Sequence, residues 1–162
     1  MQRRAWVLGL PAGVLAGCGF QLRGTPPLPF QRIALLGFDA GSPLAQELKA
    51  ALAPQAQVLD QPQQAQLLLR ASRDVRERSV VATTAAGQVR EVQLRVRLEF
   101  RVETPAGREL VPRTELLRSR DMSYSESFAL AKEQEEAQLY RGMQADIVAQ
   151  VMRQLALVRL AA

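Results

Sequence analysis

Cys18 is the one thiol in a chain of 162 residues, and it stands in the stretch LAGCGFQLRG, residues 15–24. A thiol can be buried, can form half of an intermolecular disulfide, or can act as a nucleophile. The chain has no histidine, so there is no imidazole base and no His-containing metal site. Ser-His-Asp and Cys-His arrangements are excluded on the same ground. Asp39, Asp60, Asp74, Asp121 and Asp146 stand at no spacing that marks an acid–base pair, and neither a phosphate loop nor a nucleophile elbow is present. The residue types therefore point away from an enzyme, and no metal or cofactor is expected. The chemistry that remains is modification of Cys18 itself.

The residues ahead of Cys18 have three parts. Arg3 and Arg4 form a positive start, Ala5 to Leu10 continued through Leu15 is an apolar run, and Leu15-Ala16-Gly17 supplies small residues at a cleavage point. That is the layout of a secretory signal peptide over residues 1–17, too short and too broken by Pro11 to span a bilayer. The Leu-Ala-Gly-Cys sequence resembles the lipobox of bacterial lipoproteins. The resemblance implies that the thiol is alkylated with diacylglycerol, that the preceding bond is cut, and that the new amino terminus is acylated. Several acyl chains, at about 0.8 kcal/mol per buried methylene, anchor stably where one would not. Gly19 in the following position resembles the pattern released to the outer membrane.

About 145 residues then remain, a length suited to one domain. The formal charge falls from +5 to about +3 with the loss of Arg3 and Arg4. Nearly all cations are arginines, with Lys49 and Lys132 the only lysines. An export signal and charges of mixed sign argue against a nucleic-acid partner. Gly24 to Pro29 (GTPPLP) reads as an extended spacer, so residues 18–29 form a lipidated linker and residues 30–162 a single α+β domain.

Within the domain, Arg32 to Phe38 reads as a first strand. Ser42-Pro43 reads as N-cap and first turn of a helix bearing Leu44, Leu48 and Leu52 and stopped by Pro54. A short strand at Gln57 to Leu59 fits inside the polar stretch that follows. Gln66 to Val81 is the second long strand, with the charged Arg73 to Arg78 segment (RDVRER) frayed or facing solvent. Val92, Leu94, Val96, Leu98, Phe100 and Val102 alternate with charged or polar residues, which demands a sheet with one covered face. The alternating outward charges read as a solvated face with cross-strand ion pairs. Thr104 to Gly107 makes a turn, and Glu109 to Met122 returns as a strand in which Pro112 marks an edge or a bulge. Phe128 to Leu157 is a long helix whose stripe is Tyr140, Met143, Ile147, Val151, Leu155 and Val158. Tyr124 and Phe20 are the aromatics that stand outside these apolar patterns. The expected fold is α+β, a four-stranded, largely antiparallel sheet with two helices packed on one face.

CGFQLRG after the lipobox, AGQVREVQLRVRLEF at the turn and strand, and ALAKEQEE at the start of the last helix together resemble the LptE family of lipopolysaccharide-assembly lipoproteins. The resemblance extends over essentially the whole chain after the signal. It implies a non-catalytic protein of the outer membrane, lipid-anchored on the periplasmic face, that plugs an LptD-like barrel, assists its assembly and binds lipopolysaccharide. By the same resemblance Lys132 is a candidate for a lipid A phosphate, although it can equally pair with Glu135 or Glu136. Relatives carry a basic residue in the turn before the long alternating strand, where this chain has Thr83-Thr84-Ala85-Ala86-Gly87. Arg78 and Arg90 flank that turn and are candidates by proximity. An unrelated outer-membrane lipoprotein acting as a periplasmic scaffold is the competing reading.

Overall fold

The computed structural model describes residues 27–160. Cys18 and the signal sequence lie outside the described residues. Strand β1 (Arg32–Leu36) leads to helix α1 (Pro43–Leu52) and to β2 (Gln57–Val58). A short 3-10 turn at Pro62–Gln64 precedes β3 (Leu67–Thr83), β4 (Val89–Glu103) and β5 (Glu109–Ser123). A second 3-10 turn, Glu126–Phe128, opens into α2 (Ala129–Ala156).

The sheet has five strands in the order β2-β1-β3-β4-β5, so the expected count of four is corrected. It is also mixed: β1 is parallel to both β2 and β3, whereas β3, β4 and β5 are antiparallel. A two-residue strand is too short for any alternation to show. Its place is set by pairing, with Gln57 N donating to Gln31 O at 2.7 Å and Leu59 N to Ile33 O at 2.8 Å. Parallel pairing of β1 with β2 follows from the intervening α1, because a crossover helix returns the chain to the same end of the sheet, and the loop through Pro62–Gln64 repeats that return for β3.

Local chemistry places each element. Ser42 Oγ accepts from Ala45 N at 3.0 Å, which caps α1, and Pro43 supplies its fixed φ in the first turn. Val92, Leu94, Val96, Leu98, Phe100 and Val102 are all fully buried. Leu44, Leu48 and Leu52 of α1 and the Tyr140–Val158 stripe of α2 are buried in the same core. On the opposite face Arg97 meets Glu115 at 3.4 Å and Arg101 meets Glu103 at 2.9 Å, so the outward charges do form cross-strand and neighbouring ion pairs. The edge position of β5 explains Pro112. A bulge falls there as well, since Phe100 pairs with Thr114 while Val102 pairs with Val111.

The RDVRER segment is not frayed, although Arg73, Arg76 and Arg78 are exposed as expected. It stays in the ladder from Arg73 opposite Glu99 to Arg78 opposite Leu94. A register shift between Ala71 and Arg73 exchanges the two faces of the strand. Before it Leu67, Leu69 and Ala71 point into the core. After it Asp74, Arg76 and Arg78 stand opposite Leu98, Val96 and Leu94 and therefore face the helices.

Candidate functional site

The long strands give the domain two ends. At one, β1 begins beside the start of β3, the end of β4 and the start of β5. At the other stand the β3–β4 turn, the end of β5 and the start of α2. The second end gathers Arg78, Arg90 and Lys132, though they lie far apart in sequence.

The turn closes through Thr84 N to Gln88 O at 2.8 Å and Gln88 N to Thr84 Oγ1 at 3.1 Å. This brings Arg90 back beside the exit of β5, where Tyr124 N donates to Arg90 O at 2.8 Å. The Arg78 guanidinium lies over the Tyr124 ring, 5.3 Å from its centroid. Lys132 Nζ donates to Ser123 Oγ at 3.1 Å. The Arg78 and Lys132 side chains thus touch the Ser123–Tyr124 corner directly, and Arg90 meets it through its backbone carbonyl. A small pocket of about 120 Å³ opens on it, lined by Gln88, Arg90, Tyr124, Ser125 and Ser127 together with one carboxylate, Glu126.

The electrostatics separate the three. Lys132 Nζ is 2.8 Å from Glu135 Oε2, the pairing named as the alternative to a phosphate contact. Arg78 Nε is 3.2 Å from Glu136 Oε2. Arg90 is exposed and has no ion-pair partner among the described residues. Phe128 offers no side-chain cap to the start of α2 and the first turn of that helix holds no acid, but the 3-10 turn that leads into it carries Glu126.

Two features escaped sequence reasoning. Tyr124 was recognisable as an aromatic outside the core, but its role as a platform for Arg78 required the β5–α2 connection. The other is a row on α2: Glu136, Tyr140 and Gln144, spaced four apart, receive Arg78 and Arg76 from β3. Arg76 donates to Gln144 Oε1 and lies 5.2 Å from the Tyr140 ring centroid, while Tyr140 donates to Glu77 O at 2.9 Å. The four-residue spacing is the signal in the sequence; the register shift after Ala71 hid its partners. Burial pushes the Tyr140 phenol above its ordinary pKa, and Glu136 adds to that. Glu47 on α1 is pushed up by burial and partly relieved by Arg76.

Among the described residues no group of His, Cys, Asp and Glu side chains could hold a metal ion. The corner instead offers arginine, lysine, an aromatic face and a helix start, which is a set of groups for binding anions.

A two-helix layer on one face of a mixed sheet is an architecture shared with bacterial lipoproteins of known structure. Lipoprotein B from Nitrosomonas europaea, solved in solution, superposes with a TM-score of 0.70 at 29% identity, covering 85% of this chain and 90% of that one. A minor lipoprotein from Acinetobacter baumannii shares the fold with a TM-score of 0.62 at 24% identity, over 80% of this chain and 93% of its own. In sequence, the LPS-assembly lipoprotein LptE of Yersinia enterocolitica is 31% identical over 160 residues, 96% of this chain and 76% of that protein. The profile of the LptE family, lipopolysaccharide-assembly, matches residues 30–155. The chain belongs to the LptE family, and its role lies in lipopolysaccharide assembly.

Proposed function

We propose that this protein is held in the outer membrane by acyl groups on Cys18, faces the periplasm, and binds lipopolysaccharide at the Arg78–Arg90–Lys132 corner while serving as plug and assembly partner of an LptD-like barrel. The observation that carries the binding half is that the Arg78 and Lys132 side chains meet on Tyr124 and Ser123, with the backbone of the exposed Arg90 joined to the same corner. Lipid A phosphates are acceptors for guanidinium and ammonium donors, and such charge-assisted bonds are the stronger ones. Arg90 has no carboxylate to displace. Lys132 and Arg78 must exchange Glu135 and Glu136 for phosphate, which both can do because exposed ion pairs are weak. The plug half draws support from the polar outward face of β4, since barrel interiors are polar.

The test is affinity purification of the full-length protein from detergent-extracted membranes, with mass spectrometry of the eluate. Expected are a large barrel in near-equal amount, an acylated Cys18 peptide, and lipopolysaccharide that is depleted when Lys132→Glu is the bait. An acylated protein without a barrel returns the scaffold reading. Unchanged lipopolysaccharide with Lys132→Glu and Arg78→Glu together rejects the corner as its site.

A further inference from the structure

We infer that the opposite end of the domain is a docking surface for anionic phospholipid headgroups. There the Thr104–Gly107 turn and the C-terminal end of α2 border an open groove of about 590 Å³. Arg108, Glu109, Leu110, Pro112, Leu157 and Arg159 line it. Leu157, just past α2, is 80% exposed although Leu155 and Val158 on either side are buried. Arg108 and Arg159 have no ion-pair partner among the described residues, and Glu109 is the one carboxylate on the groove. An exposed leucine between two unpaired arginines matches a membrane interface: the apolar group sinks toward the acyl chains while the guanidinium groups meet phosphates.

The path of the chain says what occupies this surface. Leu28 N donates to Gln55 Oε1 at 3.1 Å beyond the end of α1, and Phe30 is buried in the core. Ile33 pairs with Leu67, Leu68 with Glu103, and Glu103 with Glu109, so the chain enters the domain at the end that holds the groove. Residues 18–26 reach at most about 30 Å when fully extended. The far corner lies about 50 Å away along the fifteen residues of β4. An acylated Cys18 therefore lets the groove end reach the headgroups, while the Arg78 corner comes to them only if the domain lies down on the surface. A second copy of the chain would set like charges against each other, whereas an anionic leaflet complements them.

This inference rests on the proposed acyl anchor, and its test keeps the two apart. The mature acylated protein, without a barrel, is reconstituted into phosphatidylethanolamine–phosphatidylglycerol vesicles. A polarity-sensitive fluorophore is placed on Leu157→Cys or, at the far end, on Val81→Cys, the native thiol being blocked by its lipid. Flotation reports the anchor, and quenching by lipids brominated on their acyl chains reports docking. The label at 157 is expected to be quenched and that at 81 to behave as in water. Arg159→Glu should lower the docked-to-undocked ratio by at least about fivefold, the effect of one arginine near a charged leaflet. Floating protein with a water-like label at 157 overturns the docking surface and leaves the anchor standing. Equal quenching in phosphatidylcholine vesicles overturns the headgroup assignment, and protein that does not float overturns anchor and docking together.

Discussion

Arg78 is held by two partners that ask for different things: its guanidinium stacks 5.3 Å from the Tyr124 ring centroid, and its Nε lies 3.2 Å from Glu136 Oε2. The carboxylate needs only a positive charge, whereas the ring favours a planar, weakly hydrated cation. Arg78→Lys therefore keeps charge at the corner and loses the stack. Lipopolysaccharide affinity is expected to fall about two- to fivefold for Arg78→Lys, the range of an exposed cation–π contact. Charge reversal with Arg78→Glu should cost more than about tenfold. Titration of the two variants side by side checks this. Equal losses would mean that geometry, not charge, sets affinity here.

Glu135 competes with phosphate for Lys132, whose Nζ it holds at 2.8 Å. Glu135→Gln should raise lipopolysaccharide affinity by about two- to fivefold, the strength of one exposed ion pair plus the relief of a nearby negative charge. Lys132→Gln should lower affinity and shrink the gain from Glu135→Gln to the part due to charge relief alone. A double-mutant cycle on 132 and 135 measures that coupling. Additive effects would mean that Glu135 does not compete for Lys132, and an unchanged affinity with Lys132→Gln would place Lys132 outside the binding surface.

Tyr140 carries a pH signature. Burial and then Glu136 raise its pKa above the usual value of about 10. The folded state thus retains the phenolic proton more tightly than the unfolded chain does. The resulting stability is fully present below the unfolded value and is lost as pH climbs through the folded one. Tyr140→Phe removes this alkaline loss and, at neutral pH, costs about 1 kcal/mol for the bond to Glu77 O. Urea unfolding of both proteins across the alkaline range checks it. Parallel pH curves would show that Tyr140 titrates alike in both states.

The covered face of β4 and the stripe of α2 were legible because burial there follows the unbroken periods of strand and helix. Ser42-Pro43 was legible because cap chemistry is local. The short strand at Gln57–Val58 was legible, but its place as a fifth member of the sheet was not, since backbone pairing sets it and side-chain types are nearly blind to that. The change of face in β3 was hidden too: one displaced residue after Ala71 moves Asp74, Arg76 and Arg78 from the solvent side to the helix side. Lys132, Arg78 and Arg90 could be named from resemblance and proximity. Their meeting on Ser123 and Tyr124 depends on pairings between β3, β4 and β5 that no local pattern carries.

Gly37 tests how tightly β1 is docked at that change of face. It has a φ of +78°, and a Cβ there would come within 2.1 Å of the Ala71 carbonyl oxygen. Ala71 is the last core-facing residue before the register shift, so the carbonyl cannot retreat without disturbing the ladder between β3 and β4. Gly107, in the β4–β5 turn, has a similar φ of +86° but nothing within 4 Å of its would-be Cβ. The two positions share backbone strain and differ in the clash. Gly107→Ala is expected to cost about 1 kcal/mol for a left-handed alanine. Gly37→Ala should cost about 3 kcal/mol or more. For a domain of this size that difference lowers the Tm by roughly 7 °C relative to Gly107→Ala. Thermal unfolding of both variants decides it: a matching Tm would mean that β1 yields at Gly37, and that its parallel seat beside β3 is looser than the close approach to Ala71 requires.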